Sequence, residues 1–215
     1  MIIRKLLLLV SLILVITGCQ TAYYSAMEKA GVHKRDILVD RVEDAKETQE
    51  ETKEQFKSAL EKFKSVKQFD GGSLETIYND LNSELEASQA LASEIRGRIE
   101  SIEDVSDALF DEWQTELEEF SNASLKQKSA SKLRQTKSEY TKLIRSMKKA
   151  ESRIKPVLTI FNDQVLYLKH NLNAQAIQSL EGELAEIETN VVRLISEMNR
   201  SIDEANRFIS SMASS

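Results

Sequence analysis

One cysteine, Cys19, stands in 215 residues, so no intramolecular disulfide can form and packing alone must hold the fold, even in an oxidising compartment. One proline, Pro156, and six glycines leave long stretches with nothing to interrupt a helix. Aromatic residues make up 6% of the chain, too few for a thick globular core. An elongated bundle, in which each helix buries only a stripe, suits such a composition better. The two histidines, His33 and His170, are far apart, and neither has the spacing of a zinc site. Glycines 31, 71, 72, 97 and 182 do not continue into a phosphate-binding loop, and no Gly-x-Ser-x-Gly occurs. No catalytic residue, metal ligand or cofactor is therefore expected, and the chain reads as an interaction protein and not as an enzyme.

What is present begins at the N-terminus. Arg4 and Lys5 precede the apolar run Leu6 to Ile16, which only Ser11 interrupts. That run is about half the ~20 residues a stable membrane-crossing helix needs. A cationic start, a short apolar run and small residues at its end describe a signal peptide. Its ending, Ile16-Thr17-Gly18-Cys19, resembles the lipobox of bacterial lipoproteins. The resemblance implies cleavage between Gly18 and Cys19, with acylation of Cys19 on its thiol and its new amino group. Two or more acyl chains make such an attachment effectively permanent, where a single one is marginal. The expected division is a signal peptide over 1–18, a lipidated tether over 19–32 and a helical domain over 33–213. Tyr23 and Tyr24 in the tether suit either the lipid headgroup layer or packing onto the bundle end. Gln20, a non-aspartate after the cysteine, implies by the same resemblance an outer-membrane, periplasm-facing location. Loss of residues 1–18 would lower the net charge from −6 to −8.

Beyond residue 33 apolar side chains recur by alternating steps of four and three, the seam of a left-handed coiled coil. Leu38, Val42, Ala45, Gln49, Thr52, Phe56, Ala59, Phe63 and Val66 carry the first stretch, with Gln49 and Thr52 as polar members that fix alignment. The second runs from Leu74 to Phe120, after a break at Asp70-Gly71-Gly72 with Ser73 as helix cap. The third follows a break at Ser121–Ser124 and contains Pro156, which should kink or divide it. The fourth follows Asn171-Leu172-Asn173 and uses Met198, Ile202, Ala205, Ile209 and Met212 near its end. The fold expected is all-α: an elongated antiparallel bundle of about four long helices, paired as hairpins 33–122 and 123–213. The longer middle pair should project beyond the outer pair, and pairing between chains stays open.

Charge separates the two middle stretches. Residues 74–120 hold fourteen acidic side chains against Arg96 and Arg98, while residues 126–155 hold eleven basic ones against Glu139 and Glu151. Opposite signs on consecutive helices favour their pairing, although each exposed pair contributes only ~0–1 kcal/mol. As a nucleic-acid surface the basic run would need cations free of carboxylates and stacking aromatics; it has one aromatic, Tyr140, on the apolar seam. Nucleic acid is not expected as a partner, and anionic lipid or an acidic protein comes second to internal complementarity. A DNA-associated role would require an unprocessed chain.

Residues 162–173 depart from this style, with more amides and fewer paired charges. They read as a turn with polar groups capping helix ends, or as a partner surface made by Tyr167, Lys169, His170, Asn171 and Asn173. A binding module for a lipophilic or anionic ligand is the alternative function, and an apolar cavity lined by Leu158, Phe161, Val165 and Leu168 would mark it. The segments His33–Val42, Ala108–Trp113, Ser121–Leu125 and Gln164–Ala176 together resemble a family of coiled-coil lipoproteins of the Gram-negative envelope whose function is unknown. The resemblance implies an all-helical envelope protein and carries no catalytic residue. The expected role is that of a membrane-anchored spacer, scaffold or adaptor that binds an envelope protein or its own copies.

Overall fold

In a computed structural model the residues described are 23–66, 73–171 and 174–213; Gly18, Cys19 and Asn173 lie outside them. The described chain is helical throughout, apart from its turns. A short helix, α1, covers 23–29, followed by α2 (Lys34–Ser65), α3 (Leu74–Glu119), α4 (Ala123–His170) and α5 (Ala174–Ala213). The four long helices form an up-down-up-down ring in which α2 neighbours α3, α3 neighbours α4, α4 neighbours α5 and α5 closes on α2. Antiparallel order shows in the cross-helix bonds: Arg41 meets Ser101, Thr48 meets Glu94 and Lys62 meets Asp80. The middle helices are the longest, with 46 and 48 residues against 32 and 40. α2 begins level with Glu112, through the Lys34–Glu112 bond, and α5 ends level with Glu139, which Ser211 contacts. The α3–α4 hairpin therefore projects past the ends of its neighbours, as the lengths imply.

The core is the expected seam. Every seam residue of α2 from Leu38 to Val66 is buried. Phe161 of α4 is fully buried between Phe56 and Phe63 of α2, with ring centroids 6.1 Å and 4.5 Å away. Thr52 satisfies its hydroxyl on the Thr48 carbonyl at 2.7 Å, one turn back on its own helix. Gln49, 1% exposed, has no partner for either side-chain atom, and the Ser201 hydroxyl on α5 is buried and unpartnered as well. The Lys53–Asn199 contact sets α2 and α5 in register and brings these two groups to within about one helical turn of each other along the bundle.

Four details differ from the expectation. Pro156 sits inside α4 without dividing it. Its ring is on the exposed side, where water can solvate the carbonyl left without a donor, while Ile154 and Val157 beside it are buried. Ser73 precedes α3 but makes no side-chain cap; its carbonyl accepts from the Thr76 and Ile77 amides instead. Asn122 caps α4 with its side chain, accepting from the Ser124 and Leu125 amides at 2.9 and 3.1 Å. Near the end of α5 Ile202 is buried as expected, but Ser201 beside it is buried too, and Phe208 takes the core place expected of Ile209, which is only partly covered. Phe120, expected at the end of the α3 seam, is 38% exposed.

Truncating Phe161 to alanine is expected to lower the unfolding free energy by about 3–5 kcal/mol, read from urea denaturation followed by circular dichroism. Gln49→Leu should move it the other way by roughly 1–3 kcal/mol, because it removes two buried polar atoms without partners. A Gln49→Leu protein less stable than the parent would show that the amide is satisfied in solution.

Candidate functional site

Two places, at opposite ends of the bundle, gather side chains that the seam does not require. At the end where α2 begins, α1 folds back over the α2–α3 groove. Its reversal is a Schellman turn: Gly31, at φ 84°, donates to the Glu28 carbonyl, and Val32 donates to that of Met27, both at 2.9 Å. Gly31 takes the left-handed conformation that an L side chain resists. Tyr24 is then buried against the bundle, its hydroxyl accepting from Arg41 Nη1 at 3.1 Å, while the same nitrogen donates to Ser101 O at 2.6 Å. Tyr23 stays exposed, edge-on to Tyr24 at 5.3 Å. The tyrosine pair is therefore split between packing and solvent.

Lys34 ties three helices together, bonding Glu28 of α1 and, at 2.9 Å, Glu112 of α3. The Lys34 hydrogen bond holds the Glu28 carboxyl below the ordinary carboxylate value of 4.5. Burial pushes Glu112 above it, and the facing Glu28 adds to the rise. For Lys34, burial works against the charge, but the two carboxylates outweigh it and raise its pKa. Neither the Tyr24–Arg41–Ser101 contact nor this triad was foreseen. The donors and acceptors lie in three different elements, so no spacing within one helix announces them.

At the opposite end lie the sequence-derived surface residues. Tyr167, Lys169 and His170 are exposed on the last turns of α4, while Val165 and Leu168 between them are buried. Asn171 caps the helix, donating from Nδ2 to Tyr167 O at 2.9 Å and from its amide to Leu168 O at 3.2 Å. One stripe of the segment is core and cap, and the other is exposed together with Leu166, which is 52% exposed. His33 precedes α2 and His170 ends α4, so the two histidines occupy opposite ends.

The basic face of α4 is only partly neutralised from within. Lys126 pairs with Glu118, Lys148 with Glu103 and Lys149 with Glu197 of α5. Arg96–Glu151 bridges α3 and α4 with the signs reversed. Lys128, Arg134, Arg145 and Lys155 make no ion pair with a described residue. Phe161, Val165 and Leu168, expected to line a cavity if a lipophilic ligand were carried, fill the core instead. Leu158 is half-buried beside a shallow surface groove shared with Ala92, Arg96 and Ile154. Among the described residues there is no cluster of His, Cys, Asp and Glu that could hold a metal, and no helix is long and apolar enough to cross a membrane.

Residues 23–212 match the sequence profile of a family described as Protein of unknown function (DUF2959). No curated protein matches the chain, and no solved structure does.

The triad fixes the pH response of the α1 docking. Glu28, with its pKa depressed, contributes stability above pH 4.5 that is lost as pH falls through its folded value; Glu112, with its pKa raised, contributes stability below pH 4.5 that is lost as pH rises through its folded value. Lys34→Met leaves the two carboxylates facing each other without their cation. Its expected effect is a roughly ten- to hundredfold fall in amide protection over residues 24–30 at neutral pH. That loss should shrink as pH drops toward 4.5 and Glu112 takes up a proton, and Glu112→Gln in the same background should restore part of it at neutral pH. Unchanged protection in Lys34→Met would mean that Tyr24 alone docks the helix.

Proposed function

The chain belongs to this family, and we propose that this member is a lipid-anchored envelope protein that uses its helical bundle as a spacer and adaptor. Acylation at Cys19 would attach it to the periplasmic face of the outer membrane, and the far end of the bundle would meet a partner protein. The observation that carries this reading is the polarity of the molecule. The chain enters through α1 on the flank of the bundle nearer one end, and Tyr167, Lys169 and His170 are exposed at the other, beside the Asn171 cap. A filled seam joins the two ends and makes the distance between them fixed. α4 alone is about 72 Å long at 1.5 Å per residue, long enough to carry a contact well away from a bilayer.

A second reading has its own support. Lys128, Arg134, Arg145 and Lys155, which pair with no carboxylate among the described residues, run along one helix and suit an anionic ligand or surface. The lipophilic form of that reading loses support from the filled positions of Phe161, Val165 and Leu168.

Intact mass and membrane fractionation of the native protein beside Cys19→Ser test the anchor. The expected native chain begins at Cys19 with acyl mass added and sediments with membranes, and the variant does not. An unacylated chain that keeps Met1 and stays in the soluble fraction would overturn the reading. A photo-crosslinker at Tyr167 is expected to capture a discrete envelope protein or a second copy, and one placed on the α3 flank at Ser83 is not.

A further inference from the structure

The described chain enters on the flank of the bundle, well short of its end. Arg41 Nη1 reaches the Tyr24 hydroxyl at 3.1 Å and the Ser101 carbonyl at 2.6 Å. With one tyrosine side chain added, the Tyr24 backbone lies within on the order of 12 Å of Ser101. From Ser101, α3 climbs to Phe120, about 28 Å at 1.5 Å per residue. The Tyr24 backbone is therefore at least about 16 Å short of the α3–α4 tip along the bundle. From Tyr24 back to Cys19 are five residue steps, which cover at most about 18 Å when fully extended. An anchor at Cys19 can just reach the plane of the tip, and only with every link straight and aimed at it.

That tip carries exposed apolar side chains. Phe120 and Leu125 flank the turn and are 38% and 50% exposed, at the place where the hairpin outruns α2 and α5. Lys126, Lys128 and Lys132 follow on α4, with Glu116, Glu118 and Glu119 on α3, and Glu118 is engaged by Lys126. Apolar side chains with lysines beside them match the interfacial layer of a bilayer, where the apolar part is buried and the ammonium groups meet phosphate.

We infer that the α3–α4 tip is a membrane-contacting element, with Phe120 and Leu125 seated in the interface of the bilayer that holds the anchor. The inference rests on acylation at Cys19. Given that anchor, the tether is too short to let the tip stand clear of the membrane. The other way to satisfy a short tether is to lie flat on the α2–α3 flank. That would press α3, with fourteen acidic side chains against two basic ones over residues 74–120, toward lipid phosphates. The bundle accordingly stands tip-down, with Tyr167, Lys169 and His170 directed away from the bilayer.

Acylation consumes Cys19, so an introduced cysteine is the sole free thiol. The acylated protein, its mass verified, is labelled with an environment-sensitive fluorophore at Ser124→Cys or at Lys169→Cys and reconstituted into phosphatidylethanolamine–phosphatidylglycerol vesicles. The label at 124 is expected to shift to the blue, to lose most of its emission to a lipid-borne quencher and to be shielded from aqueous iodide. The label at 169 is expected to do the reverse. Equal iodide access at both positions, or equal lipid quenching at both as in a flat bundle, overturns the tip contact while leaving the anchor intact. A chain without acyl mass removes the anchor, and this orientation with it.

Discussion

The alternation of four- and three-residue steps is the constraint on which the rest of the molecule depends. With no disulfide available and few aromatic residues, the only large favourable term is the burial of one stripe per helix. A stripe on a 3.5-residue period can be buried along the full length of a helix only if every partner keeps the same period. The ring of four helices satisfies this, and it does so with small as well as large residues: Ala45, Ala59, Ala150 and Ala205 are as deeply buried as the leucines beside them. Register is therefore set globally. Position in the seam covers polar side chains as well, and Ser201 is buried with its hydroxyl unpartnered.

The same constraint explains how much of the fold was legible in the sequence. The number of long helices, their boundaries and most of the core followed from periodicity alone, because a seam that repeats over so many turns leaves little to tertiary context. The misreading near the end of α5 was one of phase. Ile209 lies one position out of phase, and Phe208, in strict phase with Ala205 and Met212, is the residue that enters the core. Phe120 fails differently: its helix has outrun the partners that would cover it. α1 was the least legible part. Its docking depends on a single positive-φ glycine and on two bridges, Arg41 between Tyr24 and the distant Ser101, and Lys34 between Glu28 and the distant Glu112. Such contacts leave no period to read.

Charge plays a narrower part than the opposite signs of α3 and α4 imply. If neutralisation drove their pairing, the cations of α4 would be turned toward the carboxylates of α3. Some are, as Lys126 to Glu118 and Lys148 to Glu103, but Glu84 and Asp80 of α3 bond to Gln55, Ser58 and Lys62 of α2, and the Arg96–Glu151 bridge has its signs reversed. Exposed pairs of this kind are each worth too little to override a continuous apolar seam. The seam chooses the neighbours, and the charges occupy what remains outside it. A basic helix face that internal carboxylates leave open is then a surface property, free to serve recognition without cost to the fold.

The two ends of the bundle follow from this division of labour. A seam that is filled from end to end stiffens the molecule but leaves its termini as places where backbone groups lose their helical partners. At one terminus the chain answers with the Asn171 cap, which bonds the Tyr167 and Leu168 carbonyls of α4 while Tyr167 and His170 stay exposed. At the other it answers with α1, whose Tyr24 and Lys34 contacts close the α2–α3 groove, and with Asn122, which caps α4 but leaves Phe120 and Leu125 uncovered. A cap costs little sequence and fixes a surface; an uncovered aromatic and leucine at a protruding turn serve no purpose for the seam. In a bundle whose interior is this regular, side chains that the seam does not explain are the first candidates for contact with something else.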